Sequence, residues 1–299
     1  MKKYAPLFVI SAATLWGIDG IVLRPSLYAL PVSLVVLIES ALAALFLLPF
    51  SRKHFAEVKN LQTKDWLSFL GVGFFGGAIG TMAITKALFF VGFVNLSIVI
   101  FIQKLQPVFA ISLAAIFLKE RLSKDFFIWA GLAIFGAYLM TFGLNLPNAS
   151  PEHANWRAAL FALIAAVSFA ASTVLSKRAL KNVSYRLGTN LRFLLTFFVM
   201  LIFVFSLGDF EAVGSISEIQ MGIFLLIALS SGVLSIFLYY YGLKSITASR
   251  ASIYELAFPL ASVILEYFVH GKFLGFVQWV GVAILIFSIF RVTKTAVSY

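Results

Sequence analysis

Apolar residues fill this chain in blocks of roughly 17 to 25, each long enough to cross about 30 Å of hydrocarbon as a helix. Short basic or Gly- and Pro-bearing segments divide the blocks. The pattern predicts ten helical spans: Leu7 to Leu23, Pro31 to Phe50, Leu67 to Val91, Val94 to Leu118, Phe126 to Phe142, Trp156 to Ser176, Leu187 to Leu207, Met221 to Leu243, Ser252 to Val269 and Phe273 to Phe290. The third and fourth are separated only around Gly92 and Phe93, where one long tilted helix is the competing reading. Backbone groups in lipid must be satisfied within their own segment, which favours helices, and the strand alternation of a barrel is weak. The fold class expected is an all-α polytopic membrane protein.

The pattern occurs twice. Residues Ala12 to Leu27 (AATLWGIDGIVLRPSL) return 153 positions later as Ala165 to Leu180 (AAVSFAASTVLSKRAL), with Trp16 on Phe169, Arg24 on Lys177 and Glu39 on Arg192. At an offset of 152, Pro107 falls on Pro259 and Leu122 on Leu274; at 150, Trp129-Ala-Gly131 falls on Trp279-Val-Gly281. Loop trimming between two copies leaves such a drift. Five spans per copy is an odd number, so the second copy must sit upside down relative to the first. Two inverted five-helix repeats around a central cavity are the architecture of carriers that open alternately to either side. The boundaries predicted are 1–144 for the first repeat, 145–155 for a connector, 156–290 for the second repeat and 291–299 for a cytoplasmic tail.

Charge placement tests the count. Of 23 Lys and Arg residues, 17 fall in segments that are inside if the N-terminus is cytoplasmic, three (Arg24, Arg157, Lys272) fall outside and three lie within spans. That bias places both termini in the cytoplasm and the protein, multi-pass, in the cell inner membrane. The overall composition, 62% apolar and 12% charged with a mean hydropathy of +1.01, fits a membrane chain. A net charge of +11 therefore argues for membrane orientation rather than nucleic acid. With no Cys and three His, neither a metal site nor a cofactor is expected. Lys2 and Lys3 ahead of an apolar stretch resemble a signal peptide, but no small-residue cleavage site follows and the segment has a partner in the second copy. The connector Asn145 to Asn155 includes Asn148-Ala-Ser150, a glycosylation pattern disfavoured by Pro151.

The chain resembles the drug/metabolite transporter superfamily in its ten-helix EamA-like branch. The resemblance rests on Trp16-Gly17 in the first span, Leu191-Arg192-Phe193 opening the second span of the second copy, and Pro107-Val-Phe109 and Phe258-Pro-Leu260 in the fourth and ninth. It also rests on Leu118-Lys-Glu-Arg-Leu122 ahead of Trp129-Ala-Gly131. It implies export or exchange of small metabolites through a cavity lined by both halves. Three positions depart from the family pattern: Glu39 stands where Arg is common, Lys119 where Gly is common before Glu120, and Lys272 at the counterpart of that Glu.

Ionisable residues inside a bilayer cost at least roughly 2.5 to 3.5 kcal/mol each unless paired or watered, so each is a site candidate. Asp19, Glu39, Lys104 and Glu255 lie deepest, with Asp19 about two thirds along its span. Lys86, Arg192 and Glu266 lie nearer span ends, where long side chains reach the interface. A structural ion pair of Lys104 with Glu39 or Glu255 is the bland alternative. Proline loosens a helix at the carbonyl four residues earlier. Four before Pro107 is Gln103 and four before Pro259 is Glu255, so the repeat superposes a polar residue on a hinge in both copies. Trp16, Gln106 and Tyr254 join the substrate-binding or coupling set. One ring of Tyr239, Tyr240 and Tyr241 should also face inward. Gly71, Gly73, Gly76, Gly77 and Gly80 predict close helix packing.

The function expected is secondary transport of a small polar or zwitterionic metabolite, amino-acid-like or nucleotide-like, with proton coupling or exchange left open and the oligomeric state undetermined. Membrane lipids are the other partner. A membrane-embedded enzyme is the alternative, on Ser230-Ser231-Gly232, but no His lies within a span to serve as base. A channel would need a filter loop that is not visible.

Overall fold

The computed structural model describes residues 4–19, 23–27, 29–90, 97–146, 156–270, 274–295 and 297–298. The helices in chain order are α1 (Ala5–Ile18), α2 (Val32–Ser51), α3 (Thr63–Gly71), α4 (Gly80–Phe90), α5 (Ser97–Gln103), α6 (Gln106–Phe117) and α7 (Lys124–Phe142). They continue with α8 (Trp156–Ala179), α9 (Tyr185–Leu207), α10 (Glu218–Ile227), α11 (Ser235–Ser245), α12 (Ala248–Tyr254), α13 (Ala257–His270) and α14 (Phe276–Lys294). Strands β1 (Arg121–Leu122) and β2 (Val297–Ser298) pair antiparallel. The turn expected at Gly92 and Phe93, most of the connector, and Lys272 lie outside the described residues, as does the side chain of Glu266.

Among the described residues, seven helical stretches are long and apolar enough to cross a membrane: Val32–Asn60, Thr63–Ala87, Lys124–Phe142, Trp156–Ala179, Tyr185–Leu207, Glu218–Ser245 and Phe276–Lys294. The other three expected spans are shorter or interrupted. The first is helical as α1 to Ile18, so Asp19 takes its C-terminal cap instead of lying two thirds along it. The fourth breaks at Lys104-Leu105 between α5 and α6, and the ninth at Glu255-Leu256 between α12 and α13. Proline is the cause: with no N–H at Pro107 or Pro259, the chain closes the joint with tighter three-residue bonds. These are Leu105 N–H to Ile102 O (3.0 Å) and Val108 N–H to Leu105 O (2.9 Å) in one joint, and Phe258 N–H to Glu255 O (2.9 Å) in the other.

Local chemistry sets the remaining ends. Ser123, Ser184, Ser217 and Thr247 accept backbone N–H bonds at the starts of α7, α9, α10 and α12. Gly143 (φ 62°) and Gly208 (φ 75°) stop α7 and α9. A π-helical segment, Val72–Ile79, joins α3 to α4, and another, Ala228–Leu234, joins α10 to α11. A 3-10 segment follows α2 (Arg52–Asn60) and another follows α9 (Asp209–Ser215).

Packing is by small residues, as expected in lipid. The strongest contacts are α7 with α14, α2 with α9, α8 with α4, and α1 with α11 and α13; α6 also lies on α8. A Cβ on Gly76 would lie 2.3 Å from Ser172 Oγ and one on Gly77 2.4 Å from Thr196 Cγ2, so the glycine-rich stretch is wedged between α8 and α9. At the α7–α14 crossing, a Cβ on Gly281 would lie 2.3 Å from the backbone nitrogen of Met140.

The connecting segments gather on two faces. On one, Asn182 bonds Asp65, Glu57 accepts from the Ser184 backbone, Lys177 bonds the carbonyls of Leu243 and Lys244, and Arg250 bonds that of Thr295. On the other, Ser33 bonds Asp209 and Gln220 bonds the carbonyl of Ser26.

Candidate functional site

The α12–α13 joint gathers a cluster of polar contacts in the interior. Glu255 takes the C-terminal cap of α12, and its carboxylate accepts three hydrogen bonds. Tyr239 OH (2.6 Å, from α11) and Thr173 Oγ1 (3.2 Å, from α8) donate to Oε1, and Gln106 Nε2 (2.8 Å, from α6) donates to Oε2. Tyr239 OH also lies 3.1 Å from Thr173 Oγ1. A carboxylate has about four lone-pair sites, so three donors leave one for a solute. Glu255, Gln106 and Trp16 keep part of their surface accessible, whereas Tyr239 and Thr173 are buried. The site is therefore an acceptor held in the bundle interior, with Glu255, Gln106 and Trp16 its partly accessible members.

Aromatic rings line one side. The Trp16 ring lies 5.4 Å from that of Tyr239, tilted by 54°, and its Nε1 donates to Ser231 O (3.1 Å) in the second π segment. That bond fixes the indole orientation. Around the next tyrosine, Ser176 Oγ and Tyr240 OH are 2.9 Å apart, and the Arg192 guanidinium lies 5.7 Å from the Tyr240 ring centre. Tyr240 is fully buried, so Arg192 is turned into the protein rather than out to the interface.

The expected residues divide. Trp16, Gln106 and Glu255 come together. Gln103, superposed on Glu255 by the repeat, instead donates to Ala162 O in α8 (2.8 Å) and ties the halves through backbone. Lys104 is buried, and the alternative of an ion pair with Glu39 or Glu255 is not seen: its ammonium group makes no hydrogen bond or ion pair among the described residues. Glu39 (α2) and Asp19 are outside the hydrogen-bond set of Glu255. Tyr254 is fully buried in the apolar cluster that holds Tyr239, and its hydroxyl meets no partner among the described residues. Pro107 and Pro259 each sit just after a helix break, the place expected for a hinge. Lys86 reaches over the Phe161 ring (5.9 Å) from an exposed position.

Sequence reasoning missed Thr173 and Ser176, ordinary small polar residues in an Ala-rich helix. It left open which tyrosine faces inward; Tyr239 does so toward Glu255. Thr173 gave no signal of its own, being one of four buried hydroxyl residues on α8 with Ser168, Ser172 and Ser176.

A second polar centre lies at the far end of α12. Glu120, 4% exposed, accepts from Ala248 N (2.7 Å), Ser249 N (3.1 Å) and Ser249 Oγ (2.5 Å). Lys119 before it adopts φ 56°, the left-handed conformation that explains why glycine is common there in the family the sequence resembles. A groove of about 480 Å³ lined by Ala283, Phe287, Phe290 and Arg291 lies on α14 and includes none of the Glu255 cluster.

The EamA-like transporter family matches the chain twice, over residues 3–142 and 156–294. A protein named riboflavin transporter ImpX, from Fusobacterium nucleatum subsp. nucleatum, is 41% identical over 292 residues, covering 96% of this chain and 97% of its own. An uncharacterized transporter of Bacillus subtilis, YwfM, is 28% identical over 293 residues, with 95% and 91% covered. One solved crystal structure shares the fold with a TM-score of 0.76 over 97% of this chain and 98% of its own, at 17% identity. Matched by the family in both halves and by a transporter over nearly its full length, the chain is a transporter rather than an enzyme, and it belongs to the EamA-like transporter family.

Proposed function

We propose that this protein carries riboflavin, or a closely related flavin, across the membrane by alternating access between two inverted halves. The single observation that carries the reading is the Glu255 cluster: a carboxylate from the second half bound by Gln106 of the first, beside the Trp16–Tyr239 ring pair. Flat rings suit a tricyclic solute, and a fixed carboxylate suits its polyol hydroxyls. The relative named for riboflavin supports this cargo. It is close to the nucleotide-like option and displaces the amino-acid-like one, because a compact zwitterion needs no aromatic platform.

Ten crossings with inverted halves are supported by the way helices exchange partners. In each half the first helix lies against the third and fourth spans of the other half, α1 on α11 and α13, α8 on α4 and α6. The second spans pair with each other, as do the fifths. Each third-position span carries a π segment, and each first helix presents an aromatic residue to the opposite one: Trp16 to Ser231, and Phe169 to Gly80, where an added Cβ would lie 2.8 Å from the ring. The segments with the basic residues meet on one face, which supports a cytoplasmic location for both termini in the inner membrane. Glu255 is also the group through which proton coupling would act.

Counterflow in proteoliposomes tests the cargo. Vesicles loaded with unlabelled riboflavin should take up labelled riboflavin saturably and above protein-free vesicles. Riboflavin flux equal to that of empty vesicles, with saturable counterflow of an amino acid, would assign a different solute.

A further inference from the structure

Lys104 is a buried residue whose ammonium group meets no acceptor among the described residues. It is 6% exposed and sits in the α5–α6 joint, two residues before Gln106, whose amide is committed to Glu255. Its backbone N–H bonds Phe101 O at 3.1 Å, while its ammonium group bonds no described residue and is not among the fully buried unpaired atoms, so it keeps some accessible surface. A cation at low dielectric is costly unless it is paired or reaches water, and a bound solute can supply the pairing. The joint is interrupted by Pro107, so loosened backbone and a cation occur together where helical transporters bind solutes. The same joint in the second half holds Glu255, which supplies the opposite charge.

We infer that Lys104 receives the acceptor edge of the transported ring, the N1 and C2 carbonyl side of a flavin, while Glu255 and its donors receive the hydroxylated chain. The inference rests on the flavin reading above. An ammonium donates and cannot accept, so it favours a carbonyl and ring-nitrogen edge and rejects an amino edge. Lys104 thus sets specificity for oxidised pyrimidine-type edges over aminopurine-type ones. Its repeat counterpart, Leu256, cannot take this part, so the two halves bind opposite ends of one solute.

The experiment measures binding to purified full-length protein in nanodiscs by flavin fluorescence and absorption, using riboflavin and lumichrome, the ring without the polyol. Lys104→Met should weaken both ligands by roughly 10-fold or more, the scale of a hydrogen bond to a charged group. It should also abolish the shift of the visible absorption band that a cation at the ring edge induces. Lys104→Arg should keep the shift and stay within about threefold of the wild type. Glu255→Gln should weaken riboflavin but leave lumichrome nearly unchanged. Wild-type affinity and an unchanged band shift in Lys104→Met would overturn the inference; so would equal losses in Lys104→Met and Lys104→Arg with no change of spectrum. Failure of the wild type to bind either flavin would instead overturn the cargo reading, and the two failures are distinct.

Discussion

Gln106, on the first turn of α6, donates its side-chain amide to Glu255, at the end of α12, across 2.8 Å. Each residue stands beside the helix break of its own half, so the bond ties two joints directly. Glu255→Gln replaces a two-oxygen acceptor by an amide that accepts at one atom only. Hydrogen bonds to charged groups are worth about 1.5 to 3 kcal/mol, so riboflavin counterflow should fall about 10-fold or more. Thermal melting of the detergent-purified protein checks that the fold survives. Where Glu255 also carries a proton, the variant's remaining flux should lose its dependence on a pH gradient.

Glu120 holds the opposite end of the same short helix. Glu120→Ala leaves the N–H groups of Ala248 and Ser249 without their acceptor and should destabilise the protein by about 1 to 3 kcal/mol. Glu120→Gln should recover part of that. Because α12 is only seven residues long, its displacement reaches Glu255, and Glu120→Ala should lower counterflow beyond any loss of folded protein. Full specific activity in the folded fraction would mean that the two ends of α12 move independently.

Lys119 pays for a conformation that a glycine adopts freely. A left-handed residue with a Cβ costs roughly 1 to 2 kcal/mol, and Lys119→Gly should raise the melting temperature. Lys119→Ala, which keeps the Cβ, should not.

Gly131 and Gly281, superposed by the repeat at an offset of 150, behave oppositely. Gly281→Val should disrupt the α7–α14 crossing, where the new carbon meets the Met140 backbone, with a loss of about 1 to 3 kcal/mol or more. Gly131 has nothing within 4 Å of an added Cβ, and Gly131→Ala should be neutral or stabilising by up to about 1 kcal/mol. Melting curves of the two variants provide the comparison.

The natural chain has no cysteine, so a single introduced thiol reports its side of the membrane. Leu146→Cys, from an 84% exposed residue, should react with a membrane-impermeant maleimide added outside the cell. Lys53→Cys and Lys181→Cys, both exposed, should react only after permeabilisation. Labelling of all three from outside would refute the alternation of crossings.

Apolar blocks and their duplication were legible because burial in lipid acts on every residue of a span and leaves a long-range signal. Pro107 and Pro259 marked the joints because their missing N–H is a covalent property, independent of packing. The glycine-rich stretch from Gly71 to Gly80 announced close contact for the same reason: a missing Cβ shows in the residue type. Side-chain partners were another matter. Gln103 and Glu255 align in sequence, yet one bonds the Ala162 carbonyl and the other binds Tyr239, Thr173 and Gln106. Helix rotation and the crossing of α6, α8, α11 and α12 decide those partners, and neither is encoded at any single position. Arg192 turned inward, and Lys104 without an acceptor among the described residues, likewise depend on what neighbouring helices present. Spans, repeat and helix breaks were thus written in local chemistry, while the side-chain geometry around Glu255 arose only where distant helices met.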